Sequence, residues 1–303
     1  MLSCEDNSVS LSELLSVQAD PNKGNLVWLA SYPKSGNTWT RAFLTSYCLP
    51  KSDLPMLERI GWISMVNSRP KFDTQMGIAS VDLRGDELLE HRRTYHEHLS
   101  SNAQKVTYFK VHDSYFRTRS GEPLFGPKAT RLAVYIVRHP FDVAVSYANH
   151  SSCPVDESIT CMNDPYQDLP QGATFCATQF ADRLDSWSNN VLSWLDQHDV
   201  PVFWMRYEDM KKDPCREFTR LVQAIGLPLD PVRVQAACAD AAFDKLQDEE
   251  RRKGFKEKMI GCKTFFNQGE TGSGRSLLSD AQKERLTLHH GEVMKRLGYL
   301  KTC

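Results

Sequence analysis

No apolar run in this chain of 303 residues approaches the ~20 residues that a membrane-crossing helix needs, so no such span is expected. Neither sign of charge prevails. Lys and Arg number 37 against 38 Asp and Glu, a formal net charge of -1. That removes the global electrostatic case for nucleic acid or an anionic membrane as partner. No Cys-x-x-Cys occurs, and the nine cysteines are scattered and odd in number. The opening Met1-Leu2-Ser3-Cys4-Glu5-Asp6 is acidic and has no apolar core, unlike a secretory signal. Reduced thiols and a cytoplasmic location are therefore expected. Cys153 and Cys161 flank a short segment and leave pairing open as an alternative. No metal site is expected either. Tyr95-His96-Glu97-His98 has metal-like composition, but residues i and i+2 point apart on a helix, so a solvated helix face is the expectation.

The loop G-x-x-x-x-G-K-[ST], which holds a triphosphate and its magnesium, is also missing. Internal repeats and low-complexity segments are absent too.

What remains is an ordinary globular composition, 41% hydrophobic and 25% charged. We expect a polar lead-in over 1–24, with a short helix around Leu11 to Val17, and one domain over 25–303. Strands are expected at 26–31, 106–111, 132–137 and 202–206, and helices at 37–48, 86–100, 175–198, 207–226 and 280–297. Residues 50–85 and 153–172 read as irregular. Leu132 to Val137 is apolar on both faces, as an interior strand of a covered parallel sheet would be. Strands alternating with helices give an α/β fold, a single domain with a central, mainly parallel sheet flanked by helices.

The segment Leu26 to Trp39 carries the chemistry. An apolar strand ends, the chain turns through Tyr32-Pro33-Lys34-Ser35-Gly36, and a helix begins near Asn37 or Thr38, either of which could cap it. Unpaired N–H groups and the positive helix end attract a phosphate there. Ligands of such sheets gather at the carboxyl ends of the strands. Those ends carry Lys34, His112, Arg138 and Tyr207, which would then share one rim. Arg138 offers a planar fork of donors, and Ser146 follows about two helical turns into the next helix. The other reading pairs Arg138 with Asp142 and leaves Ser146 buried on its helix.

Three ordered segments, Ser31 to Trp39, Arg138 to Ser146 and Arg206 to Met210, resemble the PAPS-dependent sulfotransferases of the cytosolic type, bacterial members especially. PAPS is 3′-phosphoadenosine 5′-phosphosulfate, and PAP is the desulfated product. The resemblance implies a P-loop-like phosphosulfate-binding loop in which Lys34, Ser35, Gly36, Asn37 and Thr38 hold the 5′-phosphosulfate. It implies that Trp39 stacks on adenine, that Tyr207 and Phe243 touch it, and that Arg138 and Ser146 bind the 3′-phosphate. It makes His112, in Phe109-Lys110-Val111-His112, the general base and Lys110 the lysine of the same motif. An unperturbed histidine pKa near 6.5 suits that role. His139 and His150 are rival bases.

One departure stands out. The family's late Arg-Lys-Gly followed by Gly-x-Trp corresponds here to Asn267-Gln268-Gly269 and Gly272-Ser273-Gly274. Either Arg252, Lys253 or Arg275 supplies the missing cations, or donor affinity is reduced. The expected activity is in-line sulfuryl transfer to a hydroxyl or amine of a small-molecule acceptor. A small-molecule kinase and a PAP-binding protein without turnover are the alternatives. Phe43, Tyr47, Trp62, Met65, Phe72, Met76, Tyr115, Phe116, Tyr147 and Phe175 are candidates for an acceptor pocket, most of them equally suited to the core. Oligomeric state and acceptor identity are not readable.

Overall fold

The computed structural model describes residues 15–169, 178–259 and 261–300. Its centre is a four-stranded, wholly parallel sheet of β1 (Leu26–Ser31), β2 (Thr107–Val111), β3 (Thr130–Val137) and β6 (Val202–Arg206), in the order β2-β1-β3-β6. Strands β4 (Asp168–Leu169) and β5 (Asp182–Arg183) form a separate antiparallel pair. Every residue of β1 is buried because both faces are covered. Leu26, Trp28 and Ala30 face one apolar cluster, with Trp187, Trp194 and Met294. Val27 and Leu29 face the other, with Phe43, Leu44 and Phe218. This two-sided burial is why β1 and β3 read as continuous apolar runs.

The sheet order has a functional consequence. From β1 the chain crosses to β2 on one side, and from β3 it crosses to β6 on the other. Their shared carboxyl edge is therefore the switch point where a crevice opens. Ser31 lies opposite Ile136 in the parallel register, so the loop after β1 and Arg138 after β3 emerge side by side.

Several expected elements change. Residues 153–172 are not a plain loop, because a helix fills Val155–Asn163, with Ile159 and Met162 buried. Among the described residues of the long helix expected at 175–198, only Trp187–Leu195 is helical. Ser186 caps it by accepting from the Asn189 N–H, and Asp185 before it adopts φ 57. The stretch 207–226 is two helices, Tyr207–Lys212 and Pro214–Ile225, broken at Asp213, whose carboxylate caps the second. Residues 50–85 contain short helices at Met56–Arg59 and Arg69–Met76. Part of the helix expected at 11–17 falls outside the described residues, as does Phe175. Leu15–Val17 are not helical, and Gln18 bridges antiparallel to Lys105. Cys153 and Cys161 are free thiols. Among the described residues no helix is long and apolar enough to cross a membrane.

The solvated face expected at 95–98 is also corrected. His96 is buried, stacked on Phe125 and against Trp28. Burial holds its pKa down at about 3. His112, His150 and His290 are likewise held at about 3, and His139 at about 4, in each case chiefly by burial. Between pH 6.5 and 4 the unfolded chain therefore binds protons that the folded chain refuses. Stability must fall as pH falls through that window. Asp168, Asp182 and Glu208, whose carboxyls are raised by burial, act in the opposite sense but are fewer. The expected result is a melting temperature clearly lower at pH 5 than at pH 7. A flat profile would contradict the neutral state of these histidines.

Candidate functional site

The helix Asn37–Cys48 begins at Gly36 with no side-chain cap, so the N–H groups of its first turn face the crevice. Gly36 sits at φ 109, and a Cβ there would lie 2.8 Å from the Tyr207 ring. Both facts require glycine. Asn37 does not cap the helix. Its amide reaches back to the Leu29 carbonyl at 2.8 Å and the Ser31 hydroxyl at 3.3 Å, fixing the loop to the strand it left.

One cleft brings together Lys34, Gly36, Asn37, Thr38, Trp39, Lys110, His112, Arg138, Ser146, Tyr207, Phe243, Asn267, Gln268 and Gly269. Ser35 is not among its lining residues, and its buried hydroxyl has no partner. His150 lines the same cleft, whereas His139 does not. Instead, His139 Nδ1 accepts from the Phe141 N–H, and its ring packs on Tyr299.

Lys34 adopts φ 66 and carries its ammonium 3.6 Å above the Phe265 ring. Burial, reinforced by the positive charges of Lys110 and Arg138, lowers its pKa to about 7. His112 Nδ1 lies 2.8 Å from the Ser31 carbonyl. A carbonyl can only accept, so Nδ1 carries the proton and Nε2 keeps its lone pair. The ordinary histidine pKa expected from sequence is thus corrected. Burial, and then Lys110, hold His112 neutral down to about 3.

Sequence reasoning missed the carboxylates that hold the cleft. Glu257 lines it and bridges Lys110 at 2.9 Å and the buried Arg41 at 2.7 Å. Those two cations outweigh burial and hold its carboxyl at about 2. Glu250 accepts from the Phe265 and Phe266 N–H groups at 2.7 and 2.8 Å, which sets the ring beneath Lys34. Asp142 does not pair with Arg138. It accepts from the Gly272 and Gly274 N–H groups at 2.8 and 2.7 Å and so anchors the late loop. A Cβ on Gly274 would lie 2.4 Å from the Phe141 carbonyl carbon, so this loop approaches too closely for any side chain at that position.

Arg138 ties the two loops together. It donates to the Lys34 carbonyl at 3.1 Å and the Glu270 carbonyl at 2.9 Å, while its Nε is buried without a partner. Its guanidinium lies over the Tyr207 ring, 4.4 Å from the centroid. The Tyr207 hydroxyl donates to the Gly269 carbonyl at 2.9 Å. Gly269 has φ 63 and sits so close to Phe243 that a Cβ would meet its ring at 2.2 Å. Trp39 stands edge-on to Tyr207, and its indole N–H is buried without a partner. Unpaired donors on Trp39 and Arg138, a bare helix start and buried ammonium groups suit an anionic aromatic ligand.

Most of the candidate acceptor residues serve the core. Phe43 stacks on Phe218 at 4.1 Å, and Phe72, Tyr115 and Tyr147 are buried in the opposite cluster. Arg252, Lys253 and Arg275 are exposed and do not line the cleft.

Comparison with known proteins gives concordant results. A family model described as "Sulfotransferase domain" matches residues 25–298. Flavonol 3-sulfotransferase of Flaveria bidentis is 25% identical over 291 residues, covering 90% of this chain and 83% of that protein. Cytosolic sulfotransferase 15 of Arabidopsis thaliana is 27% identical, covering 87% and 70% respectively. Among solved structures, mouse sulfotransferase SULT7A1 complexed with PAP superposes with a TM-score of 0.54 at 18% identity, covering 97% of this chain and 94% of that one. A retinol dehydratase complex with retinol and PAP gives 0.55 at 16% identity, covering 90% and 82%.

Proposed function

The chain belongs to the sulfotransferase family, and from that membership we propose that its cleft moves a sulfuryl group from PAPS to a hydroxyl of a small molecule, releasing PAP. The observation that carries this reading is the single cleft joining Lys34, His112 and Arg138. A relative named flavonol 3-sulfotransferase favours a small hydroxylated acceptor.

The roles follow from charge and geometry. The bare N-terminus of Asn37–Cys48 and the Lys34 ammonium receive the 5′-phosphosulfate. Trp39 and Phe243 offer aromatic faces to the base. His112 takes the acceptor proton on Nε2, the ring nitrogen left free by the Ser31 bond. The acceptor oxygen bonds to sulfur as the bond from sulfur to the phosphate oxygen breaks. The electron pair stays on that phosphate oxygen, where Lys34 and the loop N–H groups stabilise it. A donor's negative charge also raises the basicity of His112, which burial and then the Lys110 charge suppress.

Lys34 gives this scheme a pH signature. Its free-enzyme pKa is about 7, and an anion beside it raises that value. The protonated form, present below the pKa, is the form that binds. The kcat/KM for the donor therefore falls as pH rises above about 7, with a limiting slope of one proton. PAP binding near pH 8 takes up protons, seen as a buffer-dependent calorimetric enthalpy. Lys34→Arg, whose guanidinium stays charged, should remove the limb.

The direct test is transfer of radiolabelled sulfate from PAPS across phenols, alcohols and amines. Labelled sulfate ester with matching PAP release supports the reading. Tight PAP binding with no transfer to any class contradicts it.

A further inference from the structure

The chain around His112 runs beyond its strand. The ladder between β1 and β2 ends with Ala30 opposite Val111, so His112 to Tyr115 leave the sheet. One helix then holds them. Along Trp187–Leu195, residues three and four apart share a face. From that face the Asn190 amide donates to the His112 carbonyl at 3.1 Å, and the Trp194 indole N–H donates to the Asp113 carbonyl at 3.0 Å. Ser193 accepts from the Tyr115 N–H at 2.8 Å.

Asn190 is fully buried, and its whole amide is engaged. It also donates to the Leu184 carbonyl at 2.9 Å, and its oxygen accepts from the Tyr135 hydroxyl of β3 at 2.7 Å. The amide fits only this way round, because two carbonyls need donors and cannot face an oxygen. His112 is thereby gripped twice, at its own carbonyl by Asn190 and at Nδ1 by the Ser31 carbonyl. The two anchors fix the ring between them, and with it the direction of the Nε2 lone pair. Asn190 does not line the cleft, so it reaches the chemistry through His112.

Resting on the function proposed above, we propose that Asn190 is a positioning residue, one that aims the base without touching substrate. A reacting group displaced by about 1 Å can cost about 10²-fold in rate. A side chain that only stabilised the fold would change the amount of folded enzyme. It would not change the rate per folded molecule, nor separate acceptors that must lose a proton from acceptors that have already lost it.

The experiment uses the full chain with Asn190→Ala and, separately, with Tyr135→Phe, which keeps the ring and removes the hydroxyl that orients the amide. Single-turnover transfer from PAPS is followed to phenol, un-ionised at neutral pH, and to 4-nitrophenol at a pH where it is mostly ionised. With phenol, Asn190→Ala slows transfer by about tenfold to 10²-fold, and calorimetric PAP affinity is unchanged. With the ionised acceptor most of that loss disappears, since no proton is left to remove. Tyr135→Phe moves the same way by less, and it decides the matter if Asn190→Ala does not fold. NMR of isotope-labelled histidine needs no acceptor. It shows one Nδ1–H tautomer for His112 in the wild type and a mixture, with faster exchange of that proton, in the variants. Equal losses with both acceptors, or a His112 signal unchanged in both variants, would overturn the inference and leave sulfuryl transfer intact. A wild-type enzyme that transfers to no acceptor would overturn the proposed function as well.

Discussion

Replacing Lys34 by methionine lowers kcat by about 10²–10³-fold, the usual cost of losing one preorganised group at a developing oxyanion. Methionine keeps the length and the contact with Phe265, so the loop is retained. The charge is lost where it matters most. Lys34 is a buried ammonium whose desolvation has already been met during folding, as its pKa of about 7 records. Negative charge arriving beside it is therefore stabilised without rearrangement of water. Because that charge grows during transfer, kcat should fall more than PAP affinity. A variant with reduced PAP affinity and an unchanged kcat would place Lys34 in ground-state binding only.

Replacing His112 by alanine lowers kcat by about 10²–10⁴-fold, with PAP affinity unchanged. Asparagine is the informative companion. Its amide can still donate to the Ser31 carbonyl, so the loop contact survives while the base does not. If both variants fall alike, proton removal is the role. If asparagine restores turnover, the histidine acts by positioning β1 and β2. His150 is the competing base that the structure keeps in play, since it lines the same cleft. It is held near 3 by burial and by Lys34 and Lys110. A His150→Gln variant that loses what His112→Asn retains would reverse the assignment.

Much of this was legible because local rules sufficed. β1 and β3 are buried on both faces, and a continuous apolar run has no other stable place in an α/β protein. Lys34, His112 and Arg138 each follow a strand, so the sheet alone collects them. What escaped depends on tertiary context. The helix Val155–Asn163 was hidden by flanking prolines, although Val155, Ile159 and Met162 have helical spacing. Within the stretch expected to be helical at 175–198, the helix Trp187–Leu195 starts where the Ser186 hydroxyl caps it. Glu257, Glu250 and Asp142 look like ordinary surface acids in sequence. Their partners lie 147, 15 and 130 residues away, a separation that no local pattern encodes. The depressed pKa values of Lys34 and His112 likewise come from burial by distant segments.

A structure of the PAP complex tests the central claim most directly. The account predicts one nucleotide with its 5′-phosphate at Lys34 and the first turn of Asn37–Cys48, its base beside Trp39 and Phe243, and its ribose directed to Arg138 and Ser146. A nucleotide seated elsewhere, or one whose phosphates avoid Lys34, would contradict it.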